Sequence, residues 1–141
     1  MVTTEEKRKQ GKKNRASGAA FELKVRKDLE EKGWIVCKWQ NNIDENKCIS
    51  AKRKFNPFNK VMAMGTGFPD FFCYRISCNF KPHNYYEIHF VEAKSNGYMD
   101  KTEKEKAKWY LENRYCSKFL VASKIKVGRK VEVKYVETNH M

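Results

Sequence analysis

Residues Tyr85–Lys94 have the sequence YYEIHFVEAK, and the earlier segment Phe68–Ser77 has the sequence FPDFFCYRIS. Both are rich in aromatic and β-branched residues, and turn-forming residues separate them, so they are predicted to form two antiparallel strands. The run Ile88–Val91 is apolar on both faces apart from one histidine, which indicates a central strand covered on both sides. Glu92 and Lys94 follow on one face of this strand, where buried charges are rare unless they pair or bind something.

A second carboxylate is expected beside this lysine if the hairpin is centred near Lys81. Asp70 and Glu92 both lie eleven residues from that centre, so they are predicted to face each other. Opposed side chains have Cβ atoms about 4.5–5.5 Å apart, and like charges at that distance repel unless a cation lies between them. We therefore expect Asp70, Glu92 and Lys94 to converge at one end of the sheet. The alternative is a purely structural network of ion pairs.

The first amphipathic segment, 18–32, is predicted to be a helix with Ser17 as its N-cap and Gly33 as its C-terminal stop. Glu22 lies at the edge of its apolar stripe, and a carboxylate on a core-facing side needs a partner. It is therefore a candidate to complete the acidic cluster, although a partly exposed glutamate at the helix flank is the simpler interpretation. The stripe consists of Phe21, Val25 and Leu29.

The remaining patterns complete an α-β-β-β-α-β-β order, an α/β (α+β) fold with a mixed central sheet flanked by helices. Asp100 and Glu103 form a capping-box pattern at the start of the second helix. The region 40–64 is predicted to be a long irregular loop. The other predicted elements are strands at 34–39, 118–123 and 131–136 and a helix at 101–115.

The composition favours a polyanionic partner. The 141 residues carry a formal net charge of +13, and so large a charge on a small protein most often serves nucleic-acid binding. No apolar run is long enough for a membrane span, and no secretory signal is expected. Five cysteines without a C-x-x-C motif favour reduced thiols and an intracellular location.

The basic residues concentrate in two places. Residues 1–16 are predicted to be a flexible arm ahead of a single domain, 17–141, which carries a basic-aromatic insertion at 40–64. A solvated terminus and a solvated loop are the alternatives. The candidate DNA contacts are Lys12, Lys13 and Arg15 in the arm, and Lys52, Arg53, Lys54 and Lys60 in the insertion.

Three carboxylates and a lysine suit metal-assisted cleavage of a phosphodiester bond. Carboxylate oxygens are ligands for Mg²⁺, which polarises a phosphate and lowers the pKa of a bound water. Lys94 is expected to orient that water or to stabilise the charge that develops on the phosphate.

The motifs Gly67-Phe68-Pro69-Asp70 and Phe90-Val91-Glu92-Ala93-Lys94 resemble those of the PD-(D/E)xK nuclease superfamily. Gly18-Ala19-Ala20-Phe21-Glu22, followed by Gly33 and a strand, is similar to the archaeal-type Holliday junction resolvases of that superfamily. The resemblance covers about residues 15–136. It implies a restriction-endonuclease-like αβββαβ core.

The resemblance also implies roles for individual residues. Glu22, Asp70 and Glu92 would bind Mg²⁺, for which Mn²⁺ would substitute, and Lys94 would be catalytic. Related virus-type nucleases carry a glutamine on the second helix, where the nearest residue here is Lys106. Lys106 and Thr66 are candidate phosphate contacts, with a solvated lysine and a plain turn residue as the alternatives.

The sequence thus predicts a Mg²⁺-dependent endodeoxyribonuclease, selective for branched or flapped DNA. The resemblance to resolvases implies a symmetric homodimer. Two alternatives stay open: a nuclease for nicks, single strands or nonspecific duplex, and a catalytically silent nucleic-acid-binding module on the same fold.

Overall fold

The computed structural model describes residues 3–51, 54–56, 61–63 and 67–138; at 54–56, 61–63, 79 and 80 it describes the backbone alone. Two helices and nine strands lie in these ranges. In chain order they are α1 (Thr4–Glu31), β1 (Ile35–Lys38), β2 (Asn41–Asp44), β3 (Lys47–Ser50), β4 (Lys54–Asn56), β5 (Val61–Ala63), β6 (Phe71–Phe80), β7 (His83–Ala93), α2 (Lys101–Glu112), β8 (Lys118–Val127) and β9 (Lys130–Glu137).

Five strands form one mixed sheet in the order β1-β6-β7-β8-β9. β7 and β8 are parallel, with α2 in the connection between them, and the other neighbouring pairs are antiparallel. The predicted α/β class with a mixed central sheet is confirmed. No helix in the described ranges is both long and apolar enough to cross a membrane.

The two helices cover opposite faces of the sheet. The α1 layer is built on the predicted stripe of Phe21, Val25 and Leu29, which packs with Phe71 and Val91. The α2 layer packs Ala107, Tyr110 and Leu111 against Phe90 and Phe119. β7 therefore buries alternate residues in both layers, as its continuous apolar run predicted.

Helix α1 begins fourteen residues earlier than predicted, at Thr4 instead of Gly18. Its N-cap is Thr3, which forms a capping box with Glu6, so Ser17 is not the N-cap. The first half of α1 holds good helix formers, and helix propensity and caps extend the helix beyond its packed stripe. The C-terminal stop is as predicted: Gly33 has φ +92°, and Trp34 donates its N–H to the carbonyl of Leu29.

The region 40–64 is not an irregular loop, because it contains two short hairpins, β2-β3 and β4-β5. The β2-β3 turn has positive φ at both central residues, Glu45 and Asn46, the geometry of the tight turns that suit twisted strands. Of the candidate contacts here, Lys54 lies in β4 with its side chain outside the described atoms. Lys52, Arg53, Lys60 and Thr66 lie outside the described residues.

The hairpin β6-β7 is longer than predicted, since its strands continue to Phe80 and resume at His83. A β-bulge interrupts its ladder: Cys78 pairs with Tyr85 but Ile76 pairs with Tyr86, which leaves Ser77 as an extra residue in β6. From Ile76 to Phe71 the register is centred on residue 81, as the spacing predicted.

Candidate active site

Asp70 occupies the turn directly before β6, at the end of the sheet where β7 also finishes. Its carbonyl accepts a hydrogen bond from the N–H of Trp39 at 3.0 Å, and its Oδ2 accepts one from the N–H of Ala93 at 2.9 Å. The carboxylate is thus attached to the backbone between Glu92 and Lys94. The predicted approach of Asp70 to Glu92 is confirmed.

The turn that carries Asp70 is fixed by a glycine. A Cβ added at Gly67 would lie 2.5 Å from the carbonyl oxygen of Trp39 and 2.9 Å from that of Asn41, distances that any larger residue would violate. The next residue, Phe68, donates its N–H to the carbonyl of Asn41 at 2.8 Å. Only glycine therefore lets the turn lie this close to the chain after β1.

A buried tyrosine holds the same turn from the α2 side. The hydroxyl of Tyr110 donates to the carbonyl of Phe68 at 2.7 Å and accepts from Nε1 of Trp39 at 3.1 Å. Tyr110 is fully buried, and buried polar groups of this kind are costly to leave unpaired. Helix α2 is therefore joined to the Asp70 turn by hydrogen bonds as well as by packing.

Glu92 is a buried acid with a raised pKa. Only 5% of its surface is exposed. Burial raises the pKa of its carboxyl to about 10, and the hydrogen-bonded carboxyl of Asp70 adds to the shift, while Lys94 opposes it. Burial and the neighbouring carboxyl of Asp70 therefore both favour the protonated form of Glu92, whereas Lys94 favours the charged form.

Lys94 follows β7, and its backbone N–H donates to the carbonyl of Ala122 at 2.8 Å. Its Nζ lies 3.8 Å from Oε2 of Glu92 and 2.7 Å from Oε2 of Glu103. Burial alone lowers the pKa of this amine, but the hydrogen bond to Glu103 and the charges of both glutamates outweigh burial, so the pKa is raised. Lys94 is consequently a fixed positive charge beside the carboxylates.

Glu22 reaches the same cluster from α1. Burial raises the pKa of its carboxyl, and so does the neighbouring Asp70, to which it is hydrogen-bonded, whereas Lys38 lowers it. The predicted position of Glu22 at the edge of the apolar stripe explains this geometry, because the side chain passes from the α1 layer to the end of the sheet. Glu22, Asp70, Glu92 and Lys94 are thus brought together.

Glu103 belongs to the cluster but was interpreted from sequence as a capping residue alone. Its Oε1 accepts the N–H of Asp100 at 3.1 Å, and the Asp100 side chain accepts the N–H of Glu103, so the predicted capping box is confirmed. The second oxygen of Glu103 holds Lys94. The sequence signal for this second role was the position of Glu103. It lies in the first turn of the helix that follows the strand with the Glu-x-Lys motif.

Asp70, Glu92, Lys94 and Glu103 line an open cleft of about 380 Å³ between the Asp70 turn and the first turns of α2, whereas Glu22 is not among its lining residues. Lys106 also lines the cleft, with Nζ 6.0 Å from the centre of the Phe68 ring. A larger groove of about 750 Å³ lies between α1 and β9 and is lined by other residues, among them Leu23 and Val133. The cleft is lined by Asn42, Gly67, Phe68, Asp70, Glu92, Lys94, Asp100, Thr102, Glu103 and Lys106.

The predicted arm contacts lie outside this cleft. Lys12, Lys13 and Arg15 are exposed on the first half of α1, and Arg15 precedes Glu22 by about two helical turns. Because α1 is continuous, these cations are carried on a helix that leads to the cluster.

Within the part of the chain that the structure describes, no group of three or more His, Cys, Asp and Glu side chains is arranged to hold a metal ion. The carboxyl groups of Glu22 and Glu92 are instead each hydrogen-bonded to that of Asp70. The chain matches no protein-family model, no curated protein and no solved structure.

Proposed function

We propose that this protein is a divalent-metal-dependent endodeoxyribonuclease with a restriction-endonuclease-like fold. The observation that carries the proposal is the meeting of Asp70, Glu92 and Lys94 at one sheet end. Four separate segments contribute to that end, since Glu22 joins the turn before β6 and the end of β7 from α1, and Glu103 joins them from α2. A structural ion-pair network would not require a carboxyl group as deeply buried as that of Glu92. Burial of this group costs stability, and groups with such perturbed pKa values cluster at functional sites.

The donor atoms fit Mg²⁺, with Mn²⁺ able to substitute. Asp70, Glu92 and Glu22 offer only carboxylate oxygens, the ligands that hard divalent cations prefer. Asp70 and Glu92 would hold the ion together with Glu22, in their ionised forms. When bound, the ion polarises the phosphate and supplies a nucleophilic water near neutral pH.

The other residues would position the substrate and stabilise developing charge. Lys94 is held by Glu103 beside the carboxylates, so its ammonium is in place to stabilise negative charge on the phosphate. Lys106, on the same side of the cleft, would contact a neighbouring phosphate. The exposed cations Lys12, Lys13 and Arg15 on α1 would bind the DNA backbone further along.

The substrate class within this proposal is branched DNA. The exposed cations Lys12, Lys13 and Arg15 on the first half of α1 suit a substrate that extends beyond the cleft, as a junction or flap does. Cleavage of more than one strand of a four-way junction would require a symmetric homodimer.

The test is a cleavage assay on a four-way junction, a flap, a nicked duplex, a plain duplex and a single strand, each with Mg²⁺, Mn²⁺ or EDTA. We expect metal-dependent cuts that are fastest on a branched substrate. Equal cleavage of all five would indicate a nonspecific nuclease, and binding without any cleavage would indicate a silent binding module.

A further inference from the structure

A second concave surface lies on the opposite side of α2 from the cleft. It is a groove of about 470 Å³, called here the Tyr98 groove. The two surfaces use different faces of α2. Thr102 and Lys106 line the cleft, whereas Lys101, Lys104 and Lys108 line the Tyr98 groove.

The Tyr98 groove combines an exposed aromatic ring with cations. Tyr98 is 77% exposed, more than any other large hydrophobic side chain among the residues that the structure describes. Lys101, Lys104 and Lys108 follow one face of α2 at spacings of three and four residues, which places them about 4.5 and 6 Å apart along the axis. Among the described residues that line the groove, Glu105 is the single acid against three lysines, so the charge of this lining is positive.

The floor of the groove is apolar, and hydrogen bonds hold the backbone of the loop that carries Tyr98. Met99 and Val121, both mostly buried, line it beneath the cations. The loop that carries Tyr98 is fixed where the N–H of Gly97 donates to the carbonyl of Lys94 at 2.7 Å. Asn96 fixes it again, since its Oδ1 accepts the N–H of Tyr98 at 3.0 Å.

We infer that the Tyr98 groove binds an unpaired strand of DNA, with a base stacked on Tyr98 and the adjacent phosphates on the lysines. Single-strand sites combine a basic groove with aromatic side chains on which bases stack. Duplex DNA keeps its bases stacked inside, so it offers phosphates to the lysines but no base to the exposed ring. Tyr98 is therefore the residue that makes the groove prefer an unpaired strand to duplex DNA.

The inference rests on the proposed function, because it takes the bound strand to be part of the substrate. Tyr98 follows Lys94 by four residues, a chain length that spans at most about 14 Å. The two surfaces are separated by the width of α2, about 10–12 Å with side chains. A strand that leaves the cleft would reach Tyr98 within a few nucleotides, so the substrate would carry a single-stranded flap or gap beside the cut.

The test measures binding of a fluorescent oligothymidine to the full chain in EDTA, where no cleavage interferes. We expect Tyr98→Ala to weaken binding about tenfold, the loss expected when one stacked base is given up. Tyr98→Phe, which keeps the ring, should stay within about twofold of the parent. Tyr86→Ala is the matched control, since Tyr86 is 54% exposed and lies far along β7.

A second pair of variants tests the cations. Lys104→Ala should lower the salt slope of oligothymidine binding by about 0.7, whereas Lys130→Ala, at the start of β9, should leave it unchanged. With an oligonucleotide that contains iodouracil, the photochemical crosslink should map to the peptide that carries Tyr98.

The inference is overturned if Tyr98→Ala binds oligothymidine as the parent does, or if it weakens duplex binding by the same factor. It is likewise overturned if the crosslink maps elsewhere. A chain that binds through Tyr98 but cuts no DNA would refute the proposed function while the binding site stands. Metal-dependent cleavage that ignores Tyr98 would refute this inference alone.

Discussion

Oδ2 of Asp70 accepts a hydrogen bond from the backbone N–H of Ala93, which lies between Glu92 and Lys94. One carboxylate oxygen therefore holds the turn against the end of β7, and the same carboxyl group is hydrogen-bonded to Glu92 and to Glu22. The sheet end is in this way held together by an atom of the proposed metal ligand itself.

Asp70→Asn should retain the fold and lose cleavage. An amide oxygen can still accept the N–H of Ala93, but it removes the charge that a divalent cation requires. We expect cleavage to fall by more than about a hundredfold, since loss of groups that merely support a ligand costs about 10- to 100-fold. DNA binding in EDTA should be unchanged, and cleavage at the parent rate would exclude Asp70 from the site.

Glu103→Gln should separate the capping role from the role toward Lys94. Glutamine still accepts the N–H of Asp100 at the same helix position, so the unfolding midpoint should change little. Cleavage should fall about tenfold or more, because Lys94 loses the charge that positions it. Glu112→Gln, on the same helix but lining neither the cleft nor the Tyr98 groove, is the control. Equal activities of the two variants would limit Glu103 to capping.

Glu92→Gln should make the protein more stable at neutral and alkaline pH. The pKa of Glu92 is raised from 4.5 to about 10, so the folded state keeps a proton that the unfolded state has released. Its contribution to stability is full below about pH 4.5 and is lost as the pH rises toward 10. Glutamine does not titrate, so we expect the variant to exceed the parent by about 1–3 kcal/mol at pH 8.

Urea unfolding in EDTA from pH 4 to pH 8 measures this difference, which should shrink toward the acidic end. Added Mg²⁺ should then stabilise the parent by mass action and leave Glu92→Gln unaffected. A pH-independent difference would show that Glu92 is ionised in the folded protein. Equal stabilisation of both proteins by Mg²⁺ would remove Glu92 from the metal site.

Tyr110→Phe should lower the free energy of unfolding by about 1–3 kcal/mol. The substitution leaves the carbonyl of Phe68 and Nε1 of Trp39 buried without their partner, and such groups carry a desolvation cost. Cleavage should fall as well, since the turn before Asp70 loses its link to α2. Tyr115→Phe, at a residue that is 37% exposed, should change neither quantity. Unchanged stability of Tyr110→Phe would contradict the proposed anchoring of the turn.

The triple variant Lys12→Ala, Lys13→Ala, Arg15→Ala should weaken DNA binding and reduce its salt slope by about 2.7, or about 0.9 for each lost phosphate contact on duplex. Alanine preserves the helix, so the loss reports on charge. The control replaces Lys126, Arg129 and Lys130, at the β8-β9 turn, with alanine. The two triple variants then have the same net charge. If both triples reduce the slope equally, α1 has no special place in binding.

The sequence predicted the sheet and the acidic cluster because both depend on short-range patterns. The stripe of Phe21, Val25 and Leu29 fixes the face of α1, and that phase also places Glu22. The apolar run before Glu92 identifies β7 as central, since only a strand covered on both faces has that composition.

The sequence did not predict the full length of α1 or the hairpins of 40–64. The apolar stripe reports only the part of a helix that packs, whereas Thr3 and Glu6 begin the helix through local capping. In the β2-β3 hairpin the turn residues are Glu45 and Asn46, which lack the usual glycine signal. Glu103 was missed as a site residue because its contact with Lys94 depends on how α2 packs on the sheet.

The extra residue Ser77 determines which residues of β6 and β7 share a face of the sheet between the bulge and Asp70. In an uninterrupted ladder that continued the pairing of Cys78 with Tyr85, Asp70 would lie opposite Ala93, and its side chain would emerge on the reverse surface from that of Glu92. The acidic pair thus depends on an irregularity about 23 Å away along β6. Insertions or deletions in the distal part of this hairpin would keep Asp70 and Glu92 on one face only if they add or remove an even total number of residues.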